Sequence, residues 1–154
     1  MDLGVASSRS HVGVKISSTC EGWPDDDRVF TRLEPKSVPD CPADAWVLAL
    51  PNGLADPWVS SINAEFPDSV ILDLSADYRF DAHWVYGLPE RFREQIQTAK
   101  RIANPGCYAT GSQLGLLPLK DHLVSEPVIF GVSGFSGAGK TPSPRNDPDV
   151  LRDN

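Results

Sequence analysis

Two unbroken apolar runs, AWVLAL (45–50) and SVILDL (69–74), flank a segment of helical periodicity, and this alternation restricts the fold more than any other feature. A strand with one wet face alternates polar and apolar residues, whereas an unbroken run signals a strand covered on both faces of a parallel sheet. The intervening DPWVSSINAEF places Trp58, Ile62 and Phe66 on one helical face. Asp56 is the expected N-cap and Pro57 the first helical residue. PERFREQIQTAK (89–100) is a second helix, opened by Pro89 with Glu90 in its first turn. RIAN (101–104) is a short strand, and a third helix is expected from Cys107 to about Leu117. Further strands are expected at LGVASS (3–8), Val29 to Leu33 and PVIFGVSG (127–134). The pattern reads as α/β, half of a doubly wound nucleotide-binding sheet. The stretch 10–42, rich in Asp, Ser and Pro, has no sustained period and reads as irregular. Its run Asp25-Asp26-Asp27 reads as a solvated turn rather than a metal site, and Asp147 as the cap of a helix that starts near residue 148.

At 154 residues the chain has the size of one domain, or of one domain and the start of another. A net charge of −7 without a basic cluster argues against nucleic acid or an anionic membrane as partner. Three cysteines, Cys20, Cys41 and Cys107, form an odd set without framework spacing and read as free thiols in a reducing compartment. No apolar run approaches the roughly 20 residues that span a bilayer, and the first residues resemble neither a signal peptide nor an Arg-rich presequence.

Cys107 stands directly after Pro105-Gly106, where a strand runs into a helix. There the unpaired N–H groups and the positive end of the helix dipole favour thiolate, the nucleophilic form. Most free cysteines are small buried hydrophobes, but the Asn-Pro-Gly approach and the small residues Ala109, Thr110 and Gly111 behind it favour a nucleophile here. Gly111 and Gly115, four apart on this helix, cost propensity of about 1 kcal/mol each, which suggests a close approach by backbone or ligand. Pro51-Asn52-Gly53 and Leu74-Ser75 end parallel strands at the carboxyl edge, where ligands collect. Pro51, Asn52 and Ser75 are therefore expected to line a nucleotide-cofactor cleft, and Asp77 with Arg79 to form a local ion pair. Ser7, Ser8 and Arg9 follow a strand end, and the residues alone leave a simple turn and a ribose-phosphate contact equally open. Gly134 to Thr141, GFSGAGKT, satisfies the phosphate-loop pattern. A phosphate loop needs a helix to start at its lysine, and Pro142 and Pro144 push Thr141 and Ser143 out of the helical region. An NTPase is rejected on that ground.

IANPGCYATGSQLGLLP (102–118) resembles the active-site signature of the N-acetyl-γ-glutamyl-phosphate reductases. AWVLALPNG (45–53), VILDLSADYRF (70–80), WVYGLPE (84–90), VSGFSGAG (132–139) and PSPRNDP (142–148) resemble segments of the same family in the same order, in wording closest to its fungal form. The resemblance implies a partial, Rossmann-like NADP(H)-binding domain over 1–104 that runs into the start of an α+β catalytic and dimerisation domain over 105–154. It implies reductive dephosphorylation of a small acyl phosphate in arginine biosynthesis, with Cys107 forming a thioester. It favours NADP contact by Ser7, Ser8 and Arg9, and implies substrate contact by Ser133, Gly134, Ser136 and Gly137. Asn104 belongs to the same substrate side, pinning the cysteine turn rather than acting chemically. No metal is implied. The family's glycine-rich first turn, its histidine base and most of its second domain have no counterpart among these residues, and His11, His83 and His122 do not stand where that base would. The expectation is an internal fragment with little turnover and poor solubility, from a homo-oligomeric enzyme of the mitochondrial matrix if fungal and of the cytoplasm otherwise. Some relatives carry an acetylglutamate kinase domain on the same precursor. The alternatives are an aspartate-semialdehyde-dehydrogenase-like enzyme and a non-catalytic fragment or interaction module.

Overall fold

The computed structural model describes residues 2–132, 134 and 147–152. The chain divides at Gly106–Cys107 into two compact units.

The first unit holds a four-stranded parallel sheet. Its strands are β1 (Ala45–Leu48), β2 (Val70–Asp73), β3 (Val85–Tyr86) and β4 (Arg101–Ala103), in the spatial order β1-β2-β4-β3. The register pairs Ala45 with Val70, Asp73 with Ala103, and Tyr86 with Ala103. Helix α1 (Asp56–Glu65) links β1 to β2, and α2 (Pro89–Thr98) links β3 to β4. Such crossovers are what parallel neighbours require. The α/β reading therefore holds.

The register puts Trp46, Leu48, Ile71, Asp73 and Ala103 on one face of the sheet. Leu48 and Ile71 pack with Val59 and Ile62 of α1, with Ala55, and with Val38 from a 3-10 turn at Pro35–Asp40. Trp58 and Phe66 join this core half-buried, so the periodic face of the helix is the one that packs. The opposite face carries Val47, 62% exposed, where the sequence suggested cover on both sides.

Two local expectations change. Ala55, not Asp56, occupies the N-cap of α1, with Asp56 inside the first turn. The N-terminal stretch forms no regular strand among its described residues. At the strands expected over 3–8 and 29–33 only the isolated bridges Ser7–Thr31 and Lys15–Val29 form, because neither segment has a continuous neighbour. The acidic run lies at the surface as expected of a solvated turn: Asp25 accepts from Ser17, Asp26 binds Arg28, and the almost fully exposed Asp27 pairs with Lys15 at 2.9 Å.

The second unit opens with helix α3 (Cys107–Leu116), which tightens into a 3-10 turn over Leu117–His122 around Pro118. The expected strand at 127–134 does not form: its described residues are non-regular, and Val128 and Phe130 are almost fully exposed. Apolar β-formers give a strand only when another strand offers its backbone groups. A short helix, α4 (Pro148–Leu151), follows Asp147, whose carboxylate accepts the Asp149 N–H at 2.9 Å as expected of a cap. At Gly111 and Gly115 an added Cβ would meet nothing within 4 Å. Protein packing therefore does not demand glycine. Gly115→Ala is expected to stabilise α3 by about 1 kcal/mol, read as a higher melting point in circular dichroism. An unchanged or lower melting point would show an unfavourable contact at that site.

Candidate active site

The carboxyl edge of the sheet gathers three loops of the first unit: Leu50 to Ala55 after β1, Leu74 to Arg79 after β2, and Asn104 to Gly106 after β4. All three are tied by side chains to backbone. Asp77 accepts from the N–H of Gly53 at 2.7 Å and of Ala55 at 3.1 Å. Asn52 Oδ1 accepts the Ala76 N–H at 2.9 Å. Tyr78, stacked on Trp84 at 4.2 Å between ring centroids, donates its hydroxyl to Asp56 at 3.1 Å. Gly53 holds φ at +83°, a left-handed conformation that glycine adopts without strain.

Asp73 ends β2 fully buried. Its carboxylate accepts both the N–H (3.1 Å) and the hydroxyl (2.7 Å) of Ser75, and the Ser75 oxygen accepts the Asp77 N–H. The Ser75 side chain is therefore 2% exposed and hydrogen-bonded within the protein, instead of being presented at the edge. The Asp77–Arg79 ion pair does not form either. Backbone N–H groups in front of α1 take the Asp77 carboxylate, and Arg79 donates from Nε to the Asn104 carbonyl at 2.9 Å. A Cβ added to Gly106 would lie 3.0 Å from Arg79 Nη1, so this guanidinium lies along the turn that precedes Cys107. Asn104 is held too: its N–H reaches the Asp73 carbonyl at 2.8 Å, and its Nδ2 the Pro105 carbonyl at 3.1 Å.

Cys107 is the first residue of α3, with a free and exposed thiol. Cys20 is exposed as well, and Cys41 half-buried. Pro51 and Asn52 are exposed at the sheet edge. Near the N-terminus, Ser7 Oγ accepts the Leu33 N–H at 3.1 Å. Ser8 Oγ, Ser10 Oγ and His11 Nδ1 cluster within 3.5 Å of one another, beside an exposed Arg9. His83 is a surface ring bound to Asp81 at 3.1 Å, and His122 lies in the last turn of the 3-10 segment. Gly134 is exposed; Ser133, Ser136, Gly137 and the Lys140-Thr141 pair lie outside the described residues. A depression of about 520 Å³, bordered by Asp44, Phe66 and Ser69, lies at the opposite edge, and the Ser69 hydroxyl there is spent on the Ala43 carbonyl.

Sequence reasoning passed over Asp73 and the Asp56–Tyr78 bond, and gave Asp77 the wrong partner in Arg79. The available signal was the spacing Asp73-x-Ser75-x-Asp77 straight after a buried strand, a run of short polar side chains suited to bonding their own backbone.

Two ionisable groups of these loops carry shifts that stability can report. The Gly53 N–H, ahead of the weaker Ala55 bond, holds the Asp77 carboxyl below the usual carboxylate value of 3.8. A depressed folded-state value stabilises above 3.8, and that contribution is lost as pH falls through the lower value. Burial, reinforced by Asp56, pushes the Tyr78 hydroxyl from 10.0 up to about 12. A raised value stabilises below 10 and fades as pH rises towards 12. Alkaline unfolding of the first unit should thus begin above pH 10, and Tyr78→Phe should flatten that limb of the stability profile. A variant whose stability still falls at the same slope would exclude Tyr78 as the source.

Comparison with known proteins gives a consistent relationship. Residues 2–99 match the family described as "Semialdehyde dehydrogenase, NAD binding domain", and residues 107–154 its "dimerisation domain". The whole chain is 46% identical to the N-acetyl-gamma-glutamyl-phosphate reductase of Xanthomonas campestris pv. campestris (strain B100), covering 48% of that protein. It is 49% identical to that of Xylella fastidiosa (strain 9a5c), covering 46%, and 47% identical to that of Stenotrophomonas maltophilia (strain R551-3), covering 48%. The chain thus spans about half the length of the curated relatives it matches. Among solved structures, aspartate semialdehyde dehydrogenase II from Vibrio cholerae aligns with a TM-score of 0.43 at 22% identity, over 51% of this chain and 26% of that one. Two successive domain matches across nearly all of these residues, on a parallel sheet with helical crossovers, carry one conclusion: the chain belongs to the semialdehyde dehydrogenase family.

Proposed function

We propose that this chain carries the cofactor-binding part and the nucleophile of an NADP-dependent reductase that converts N-acetyl-γ-glutamyl phosphate to the semialdehyde in arginine biosynthesis. The observation that carries the proposal is Cys107: a free, exposed thiol at the first position of a ten-residue helix, directly after the Asn104-Pro105-Gly106 turn. Identity of 46–49% along the whole chain to proteins named for that reaction supports the choice of substrate.

The thiolate of Cys107 adds to the acyl carbonyl, the carbon–oxygen bond to phosphate breaks, and phosphate leaves with that electron pair. A thioester remains on the sulfur. Backbone N–H groups in the first turn of α3 are the donors for the oxyanion. NADPH, when bound, supplies the hydride that reduces the thioester to the aldehyde. The donor set fits this cofactor. Arg9, with the Ser8 and Ser10 hydroxyls and the His11 ring nitrogen, suits a ribose 2′-phosphate, because guanidinium and hydroxyl groups recognise phosphate oxygens and no carboxylate lies among residues 7–11. The match to a dimerisation domain over 107–154 supports assembly of at least two copies.

The test runs the reaction backwards in the full-length protein. N-acetylglutamate semialdehyde should reduce NADP only when inorganic phosphate is present, and aspartate semialdehyde should not replace it. Arg9→Ala should raise the KM for NADP about tenfold, the size of one lost charge-assisted bond, and leave the KM for NAD unchanged. Reduction independent of phosphate would reject the proposed reaction. Equal effects of Arg9→Ala on both cofactors would reject the 2′-phosphate contact.

A further inference from the structure

We infer that Asp77 is a positioning residue, which locks the loops after β1 and β2 into one rigid lip of the cofactor cleft. The inference rests on the cofactor reading given under Proposed function and adds residues which that reading does not use.

The two loops face each other through three rungs in matching order. Asn52 takes the Ala76 N–H, Asp77 takes the N–H groups of Gly53 and Ala55, and Asp56 takes the Tyr78 hydroxyl. Numbering rises together on both sides, 52 to 56 against 76 to 78, so the loops run alongside each other over their whole facing length. Each rung joins residues 22 or 24 apart in sequence.

The middle rung is the informative one. The turn that leads into α1 has N–H groups at Gly53 and Ala55 that no helical carbonyl takes, and Ala55 at the N-cap has no polar side chain to tie that turn down. Their acceptor is the Asp77 carboxylate, from the loop after the neighbouring strand. An acceptor within the turn itself would have left the two loops independent. The long-range carboxylate makes the start of α1 and the loop after β2 move as one body. Its other end is fixed as well, since the Asp77 N–H is bound to Ser75, which is held by the buried Asp73. The chain of bonds therefore runs from the sheet interior to the rim.

Position gives the lip its use. β1 and β2 are adjacent and parallel, so both loops leave the carboxyl edge, where open α/β sheets bind ligands. A rim held before the ligand arrives removes the ordering cost from binding. The same rung places a carboxylate beside the turn that leads into α1, next to the positive end of the helix dipole.

The decisive comparison is Asp77→Asn against Asp77→Glu and wild type, in the full-length protein. Asparagine keeps the size but turns one acceptor into an NH₂ group facing an N–H donor. Glutamate keeps the charge. Asp77→Asn should weaken NADPH binding, followed by fluorescence titration, about tenfold. Asp77→Glu should recover most of that loss, and amide exchange at Gly53 and Ala55 should accelerate in the asparagine variant alone. Iodoacetamide alkylation of Cys107 should keep its wild-type rate in both. An asparagine variant that binds NADPH like wild type overturns the inference. So does one in which alkylation and the melting transition change as much as cofactor binding, because that is a general structural role. Wild-type protein that binds no NADPH would fail the cofactor reading first and this inference with it; a wild type that binds while the variants match it fails the inference alone.

Discussion

Cys107→Ser should reduce turnover by at least about 10³-fold, because a hydroxyl near neutrality has almost no anionic form with which to open the acyl phosphate. The substitution exchanges sulfur for oxygen at an exposed helix start, where serine is well tolerated. The melting transition should therefore stay in place, and the lost activity cannot be charged to unfolding. The partner measurement is thiol reactivity. At pH 7 iodoacetamide should modify Cys107 well ahead of Cys20, although both thiols are exposed, and ahead of the half-buried Cys41. Cys20 serves as the internal reference for exposure without a helix start. If the two react at one rate, the local backbone does nothing for the sulfur, and the proposed chemistry loses its first step. Retained activity in Cys107→Ser would remove the nucleophile altogether.

The largest effect on stability is expected at Ile62 and Ile71. Both are completely buried, one on α1 and the other on β2, within the same cluster. Truncation to alanine removes several methyl and methylene groups and leaves a void that close-packed neighbours fill only in part. Each variant should lose about 2–5 kcal/mol, a large share of the 5–15 kcal/mol typical of a domain. Urea titration followed by tryptophan fluorescence should show the midpoint falling with the slope unchanged. Because the two side chains belong to one cluster, the double variant should lose less than the sum of the singles. Strict additivity would mean that the helix and the strand do not share a core. Val47→Ala, on the exposed face of β1, is the contrast, and its effect should stay within about 0.5 kcal/mol.

The sequence was most readable where one physical cause dominates. The apolar runs at 45–50 and 69–74 became β1 and β2 as their pattern indicates, although one face of β1 stays open at Val47. Pro57 and Pro89 marked the openings of α1 and α2 because a fixed φ and a missing donor suit a first turn. The start of α3 at Cys107 was likewise legible from the Pro-Gly pair before it. Legibility failed where the outcome depends on a distant partner. β3 is two residues long, and only pairing with β4 makes Val85 and Tyr86 a strand. The run at 127–132 has every local mark of a strand, yet it stays unpaired among the described residues. Asp56 looked like the cap of α1, but Ala55 holds that place and its N–H goes to Asp77, a partner 22 residues away that no local rule can foresee. Ser75 illustrates the same limit at the site. Its place at a strand end was legible, but the buried Asp73 that turns its hydroxyl inward is a matter of side-chain pairing.

The strand order β1-β2-β4-β3 also sets the timing of assembly. β3 leaves the ribosome before β4 but has no parallel neighbour until β4 arrives, because β4 sits between it and β2. At about 5–20 residues per second, residues 85–86 wait roughly a second for residues 101–103 to emerge and slot in. During that interval the edge of β2 is an open template for any passing strand, so nascent chains stalled between these points should be the ones that aggregate.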